Sequence, residues 1–151
     1  MAYLTIINQS ARNWNALTPE LNCIGTAKTR DALIEQAREA IALALEGQPG
    51  RAATITRLEQ LDAETRAEIP ATAEVLHLDP APMNPVSGEI EAAMNRAGMH
   101  QAELARRLGT SRSAVSRMLN PFYWGHSVDL LRRVAEVLGA DLEVKITARA
   151  S

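Results

Sequence analysis

Gln101-Ala102-Glu103-Leu104-Ala105-Arg106-Arg107-Leu108-Gly109-Thr110-Ser111-Arg112-Ser113-Ala114-Val115-Ser116-Arg117-Met118-Leu119-Asn120 is the stretch whose reading decides the fold. Its apolar residues recur at helical spacing on both sides of Gly109, which predicts two short amphipathic helices joined by a tight turn. Ala105 is small enough for the two helices to approach closely. Gly109 supplies the positive φ that the turn demands. Val115 is β-branched and faces the first helix, while Leu104, Leu108 and Met118 complete the inner face. The pattern is that of a helix-turn-helix.

With Val115 and Met118 inward and Ser111 as N-cap, the outward face of the second helix carries Arg112, Ser113, Ser116 and Arg117. A helix of this kind lies in the major groove, where arginine grips guanine through two hydrogen bonds and serine reaches bases or phosphate. Arg112 and Ser113 are expected nearest the base edges, with Ser116 and Arg117 adding base or backbone contacts. Four arginines face one acid, Glu103, within Gln101–Asn120. Arg106 and Arg107 fit a solvated face better than the reading face. The stretch resembles the helix-turn-helix of phage repressors and the bacterial regulators built on them. The match includes the QAELA opening and the Gly-Thr-Ser step into the second helix. His100 stands where that family usually has Ser or Thr as N-cap. The resemblance implies that Gln101 touches phosphate and that the loop Pro121–His126 runs beside the DNA backbone. Tyr123, Trp124 or His126 is then a phosphate contact, with Tyr123 the first choice. The alternative is that Phe122 and Trp124 cap the small helical core, which is the expected role of Phe122.

Working outward, Ser87 is expected to cap a helix with Ile90, Ala93, Met94 and Ala97 inward, closed by Gly98. Ser127 opens another, with Leu130, Leu131, Val134, Ala135 and Leu138 inward, closed by Gly139. Leu142–Thr147 alternates strictly between apolar and polar and reads as a strand, which must find a partner to be stable. Residues 87–151 therefore form a helical domain with a terminal β-strand. Asp79–Pro85 holds three prolines in seven residues, and residues 79–86 read as a stiff linker.

Residues 1–78 read as a small α+β layer. Residues 3–8 and 14–18 are short strands, Cys23–Thr29 a third and Ala73–Leu78 a fourth, with weak helical character over 54–67. Between the third strand and that region lies a helix capped by Thr29, with Leu33, Ile34, Ala37, Ala40, Ile41, Ala44 and Leu45 on one stripe, ending at Gly47.

The whole chain of 151 residues has a net charge of −2, which conceals an asymmetry. Residues 1–86 hold 7 basic against 11 acidic side chains, a balance of −4, and residues 87–151 hold 9 against 7, a balance of +2. The basic excess lies where the motif calls for DNA. A single cysteine, Cys23, excludes an internal disulfide and suits a reducing cytoplasm. Three scattered histidines make no metal cluster, and no cofactor is expected. No run of about eighteen apolar residues and no basic-then-apolar N-terminus point to a membrane span or a signal peptide. The acids Glu20, Asp31, Glu35 and Glu39 do not converge from two sides as metal-dependent phosphodiester cleavage requires, so a non-enzymatic protein is expected.

Within the N-terminal half, Trp14-Asn15-Ala16-Leu17-Thr18-Pro19-Glu20-Leu21, then Cys23-Ile24, Thr29 and the Ala37-Arg38-Glu39-Ala40-Ile41 turn of the helix, resemble the N-terminal domain of HicB antitoxins. Glu20 stands where that family usually has Asp, and Asn22 replaces a Pro–Gly step. The resemblance implies a partial ribonuclease-H-like layer that covers the active site of a small, basic, mRNA-cleaving HicA toxin. Trp14 and Glu20 are then the expected toxin contacts. It also implies a C-terminal domain that binds operator DNA and represses its own operon; because repressor motifs of this kind read paired half-sites, a homodimer or a higher even oligomer is expected. The competing expectation is a free-standing dimeric repressor whose N-terminal domain senses a ligand or only oligomerises.

Overall fold

The computed structural model describes residues 1–150 and is an α+β protein made of two compact units, Met1–Pro82 and Met83–Ser151. In the first unit, strands β1 (Tyr3–Gln9), β2 (Trp14–Thr18), β3 (Cys23–Ala27) and β4 (Glu74–Leu78) form one antiparallel sheet in the order β3-β2-β1-β4. Ile7 lies opposite Ala16 on β2, and Tyr3 opposite Leu78 on β4. Alternation decides which side chain goes where. Tyr3, Thr5 and Ile7 face helix α1 (Arg30–Ala44), whose Leu33, Ala37 and Ile41 are buried against them. Thr29 caps α1 as expected, its hydroxyl accepting the Ala32 amide. Thr5 and Thr18 sit in this core with their hydroxyls 2.8 Å apart, one donating to the other.

Leu4 and Ile6 point to the opposite face and meet Leu61. The segment covering that face contains a 3-10 turn at Leu58–Gln60 and helix α2 (Ala63–Glu68). Side-chain hydrogen bonds hold it down: His77 Nε2 lies 2.8 Å from the Thr56 carbonyl, and Gln60 links Thr54, Thr56 and Arg57.

The step between β2 and β3 passes through Asn22, the one non-glycine residue with positive φ (52°) among the described residues. Asparagine tolerates the left-handed region through its short polar side chain. The turn between the two strands is thus made by one of the few residue types besides glycine that enter this conformation readily.

The second unit is all helical: α3 (Pro85–Ala97), α4 (Gln101–Leu108), α5 (Arg112–Met118) and α6 (Val128–Leu138). Ile90, Met94, Leu104, Leu108, Val115, Met118, Val134 and Leu138 form its core. Gly98 and Gly139 close α3 and α6 in left-handed geometry, where the sequence put them.

Three local expectations are corrected. Helix α3 starts at Pro85 with Asn84 as its cap, two residues before the expected start, because proline is preorganised for the first helical position. Ser87 is instead buried, and its hydroxyl donates to the Asn120 carbonyl at 2.9 Å. Ala97, expected inward, is exposed on the last turn. Leu142–Thr147 forms no strand within the chain. The surrounding unit is helical and offers no neighbouring strand edge to complete the backbone pairing.

The proline-rich segment is also anchored at its start rather than standing free. The Ala81 amide donates to the Arg38 carbonyl at 3.0 Å, and Arg38 Nε donates to the Asp79 carbonyl at 3.1 Å.

Candidate nucleic-acid interface

Helix α4 begins behind His100, whose side chain makes no capping bond, so the helix start leans on packing alone. Gly109 ends it with φ of +69°, and the Thr110 amide bonds back to the Ala105 carbonyl at 2.9 Å. Three residues after Thr110's neighbour Ser111, the Ala114 amide donates to the Ser111 hydroxyl at 3.1 Å, which fixes the start of α5. Val115 is fully buried and Met118 nearly so, against Leu104, Ala105 and Leu108. That packing dictates the opposite face. Arg112, Ser113, Ser116 and Arg117 are all exposed, and Ser111 stands exposed at the tip.

The arginines divide into two kinds. Glu103 pairs with Arg107 at 2.9 Å and lies 3.8 Å from Arg106. Arg132 bridges Asp129 and Glu136, and Arg133 donates to the Leu108 carbonyl at 2.8 Å. Among the described residues, Arg112 and Arg117 have no acidic partner. Helix α5, the helix with the outward polar face, therefore presents two uncompensated guanidinium groups to a polyanion.

Gln101 is half-buried at the first position of α4. Tyr123 is half-buried too, its ring edge-on to His126 with centroids 5.1 Å apart. A Cβ on Gly125 would come within 2.5 Å of the Tyr123 hydroxyl, so glycine is what lets this ring lie across the loop. Arg117 and Tyr123 meet at one hollow of about 340 Å³, closed by Thr110 and Arg133. Phe122 is half-buried, whereas Trp124 is 57% exposed and does not cap the core.

A supporting network behind this face escaped the sequence reading. Asn84 is buried, and its Oδ1 accepts the Val86 amide, so its Nδ2 is free to donate. It does so to the Tyr123 carbonyl at 3.0 Å and to His126 Nδ1 at 3.3 Å. With Nδ1 accepting, His126 donates through Nε2 to the Met118 carbonyl at 2.9 Å. The neutral imidazole with its proton on Nε2 satisfies both partners. One histidine thereby ties the end of α5 to the start of α3. The signal was present in Asn84-Pro85, a cap followed by an N1 proline.

In the first unit the two expected toxin contacts have intramolecular partners. Trp14 is half-buried against the α1-side core. Glu20 accepts the amides of Thr54 and Ile55 at 2.9–3.0 Å and the Thr54 hydroxyl at 2.9 Å. Partial burial opposes ionisation of this carboxyl, but the bonds from Ile55 and Thr54, with Arg51 nearby, outweigh it and hold its pKa below the usual value. Its folded pKa being lowered, the stability it contributes is present above about pH 4.3 and disappears as pH falls through the lower folded value. Thermal melts should therefore show wild type above Glu20→Gln at neutral pH, with the gap closing below about pH 4. A constant gap would leave the carboxylate without this role.

The helix-turn-helix family model matches residues 90–121, from Ile90 in α3 to Pro121 just beyond α5. The chain carries a helix-turn-helix domain of the phage-repressor-like class, a DNA-binding domain associated with transcription regulation. A search of curated proteins finds no match to the chain. No helix is long and apolar enough to cross a membrane, and no group of three or more potential metal ligands occurs among the described residues.

Proposed function

We propose that this protein is an operator-binding repressor that doubles as the antitoxin of a toxin–antitoxin pair. The observation that carries the DNA half is the α5 face: Arg112, Ser113, Ser116 and Arg117 exposed opposite buried Val115 and Met118, with both arginines free of acidic partners. Helix α5 enters the major groove by its N-terminal end, Arg112 and Ser113 read base edges, and Ser116 and Arg117 secure the flank. Gln101, Ser111 and Tyr123 hold phosphates. Two copies engage half-sites about 34–36 Å apart on one face of the duplex.

The antitoxin half rests on the resemblance of Trp14–Ile41 to HicB proteins and on the acidic balance of residues 1–86, 7 basic against 11 acidic. A toxin that cleaves mRNA is basic, and an acidic partner is complementary to it. The first unit acts by covering the toxin rather than by catalysis. With Trp14 and Glu20 engaged internally, the apolar contact surface includes Ile24, 79% exposed on edge strand β3.

Two measurements test the two halves. Gel-shift titration of the full chain with its own promoter DNA is expected to give a salt-sensitive specific complex, and binding no tighter than to random duplex would overturn the DNA assignment. Co-expression with the short basic protein encoded beside it is expected to relieve that protein's toxicity. A neighbour that is harmless alone would favour the free-standing repressor.

A further inference from the structure

The segment Leu142–Thr147 exposes three apolar side chains in alternation: Leu142 is 39% exposed, Val144 61% and Ile146 96%. It follows α6 and forms one wall of a groove of about 650 Å³ whose other walls include Val86, Ile90, Ala93, Val128 and Leu131 of α3 and α6. Val128 is itself 62% exposed. The exposed backbone of this segment has no strand to pair with in the helical unit, so its amides and carbonyls are open to a second strand.

The residues of the segment are complementary to themselves in one arrangement. Centred on Val144 in an antiparallel pair, Leu142 lies opposite Ile146, Val144 opposite Val144, and Glu143 opposite Lys145 twice over. Apolar residues then share one face and the two ion pairs the other. A slip of two residues in either direction would set Glu143 against Glu143 or Lys145 against Lys145. A parallel pair in register would do both. Like charges directly opposite are unfavourable, so the sequence selects a single register.

We infer that residues 142–146 of two copies pair as a symmetric antiparallel ribbon about Val144, joining the chain into a two-fold dimer. Leu142, Val144 and Ile146 of the ribbon lie over the α3–α6 groove of both copies, the helix layer that a two-stranded ribbon requires for stability. The interface is isologous, each Glu143 meeting the other copy's Lys145. The arrangement deepens the reading in which two copies engage one duplex, on which it rests for the presence of a second copy, while involving neither α5 nor the first unit.

Charge exchange tests it, read by sedimentation equilibrium of the full-length chain without DNA. Wild type is expected as a dimer. Glu143→Lys alone and Lys145→Glu alone each place like charges opposite one another twice, and each is expected to raise the dimer Kd about tenfold or more. The double exchange is expected to restore the wild-type Kd. An equimolar mixture of the two single variants is expected to form heterodimers, because every charge then faces its opposite. A monomeric wild type, or a dimer indifferent to all of these changes, would overturn the inference. All substitutions lie on exposed positions outside the core, so loss of association cannot be confused with unfolding.

Discussion

Leu104→Ala is expected to cost the helical unit about 2–5 kcal/mol. Leu104 is fully buried in α4, in the core that also holds Val115 and Met118 of α5. Truncation removes the transfer energy of the lost carbons and leaves a cavity that short, mutually braced helices cannot collapse to fill. A domain of this size has only a few kcal/mol in hand, so the variant unit should be largely unfolded at physiological temperature. Amide signals from α3 to α6 are expected to lose dispersion while those of the sheet persist, since the sheet's cores contain no residue from the helical unit. Leu104→Met, which keeps the volume, should cost less than about 1.5 kcal/mol. Equal losses for Ala and Met would mean that packing at this position is not what holds the turn.

The second large effect concerns the α5 face. Arg112→Ala and Arg117→Ala are each expected to weaken operator binding by about 1–3 kcal/mol, roughly 5- to 150-fold, with the melting curve unchanged. Both side chains are exposed and unpaired, so their removal strips charge and hydrogen-bond donors without opening the core. The two should differ in kind. If Arg112 reads a base, its loss lowers operator affinity more than affinity for random duplex. If Arg117 holds phosphate, its loss weakens both alike and flattens the salt dependence by about one unit of slope. Arg132→Ala is the control, because Asp129 and Glu136 already neutralise that guanidinium. Anisotropy titrations at fixed ionic strength separate these outcomes, and a loss at Arg132 as large as at Arg112 would remove the assignment of α5 as the reading helix.

What could be read without coordinates was local. Thr29, Ser111 and Ser127 each cap the helix they precede, and Gly98, Gly109 and Gly139 each close one, because these jobs depend on the residue and its immediate neighbours. The buried face of α5 was equally legible, since Val115 and Met118 fix it by spacing alone. The failures have a common cause in distance along the chain. Glu20 clasps Thr54 and Ile55 across more than thirty residues, and Asn84 reaches Tyr123 and His126 across about forty. No periodicity encodes such pairings. Pro85 misled for a different reason: proline breaks a helix from within but opens one from its first position, and only the backbone distinguishes the two. The tail Leu142–Thr147 has the alternation of a strand, yet its own unit is helical and gives it nothing to pair with.

Helix α5 spans only seven residues, Arg112–Met118, too few to hold helical shape in water unaided. It is capped at its tip by its own Ser111 and pinned at its exit by His126, and just beyond by Ser87 on the Asn120 carbonyl, two groups that belong to other parts of the unit. Its grip on a duplex therefore has no existence apart from the domain. Warming cannot loosen α5 while leaving its scaffold intact, so on the proposed function operator release and domain melting are expected as a single thermal event.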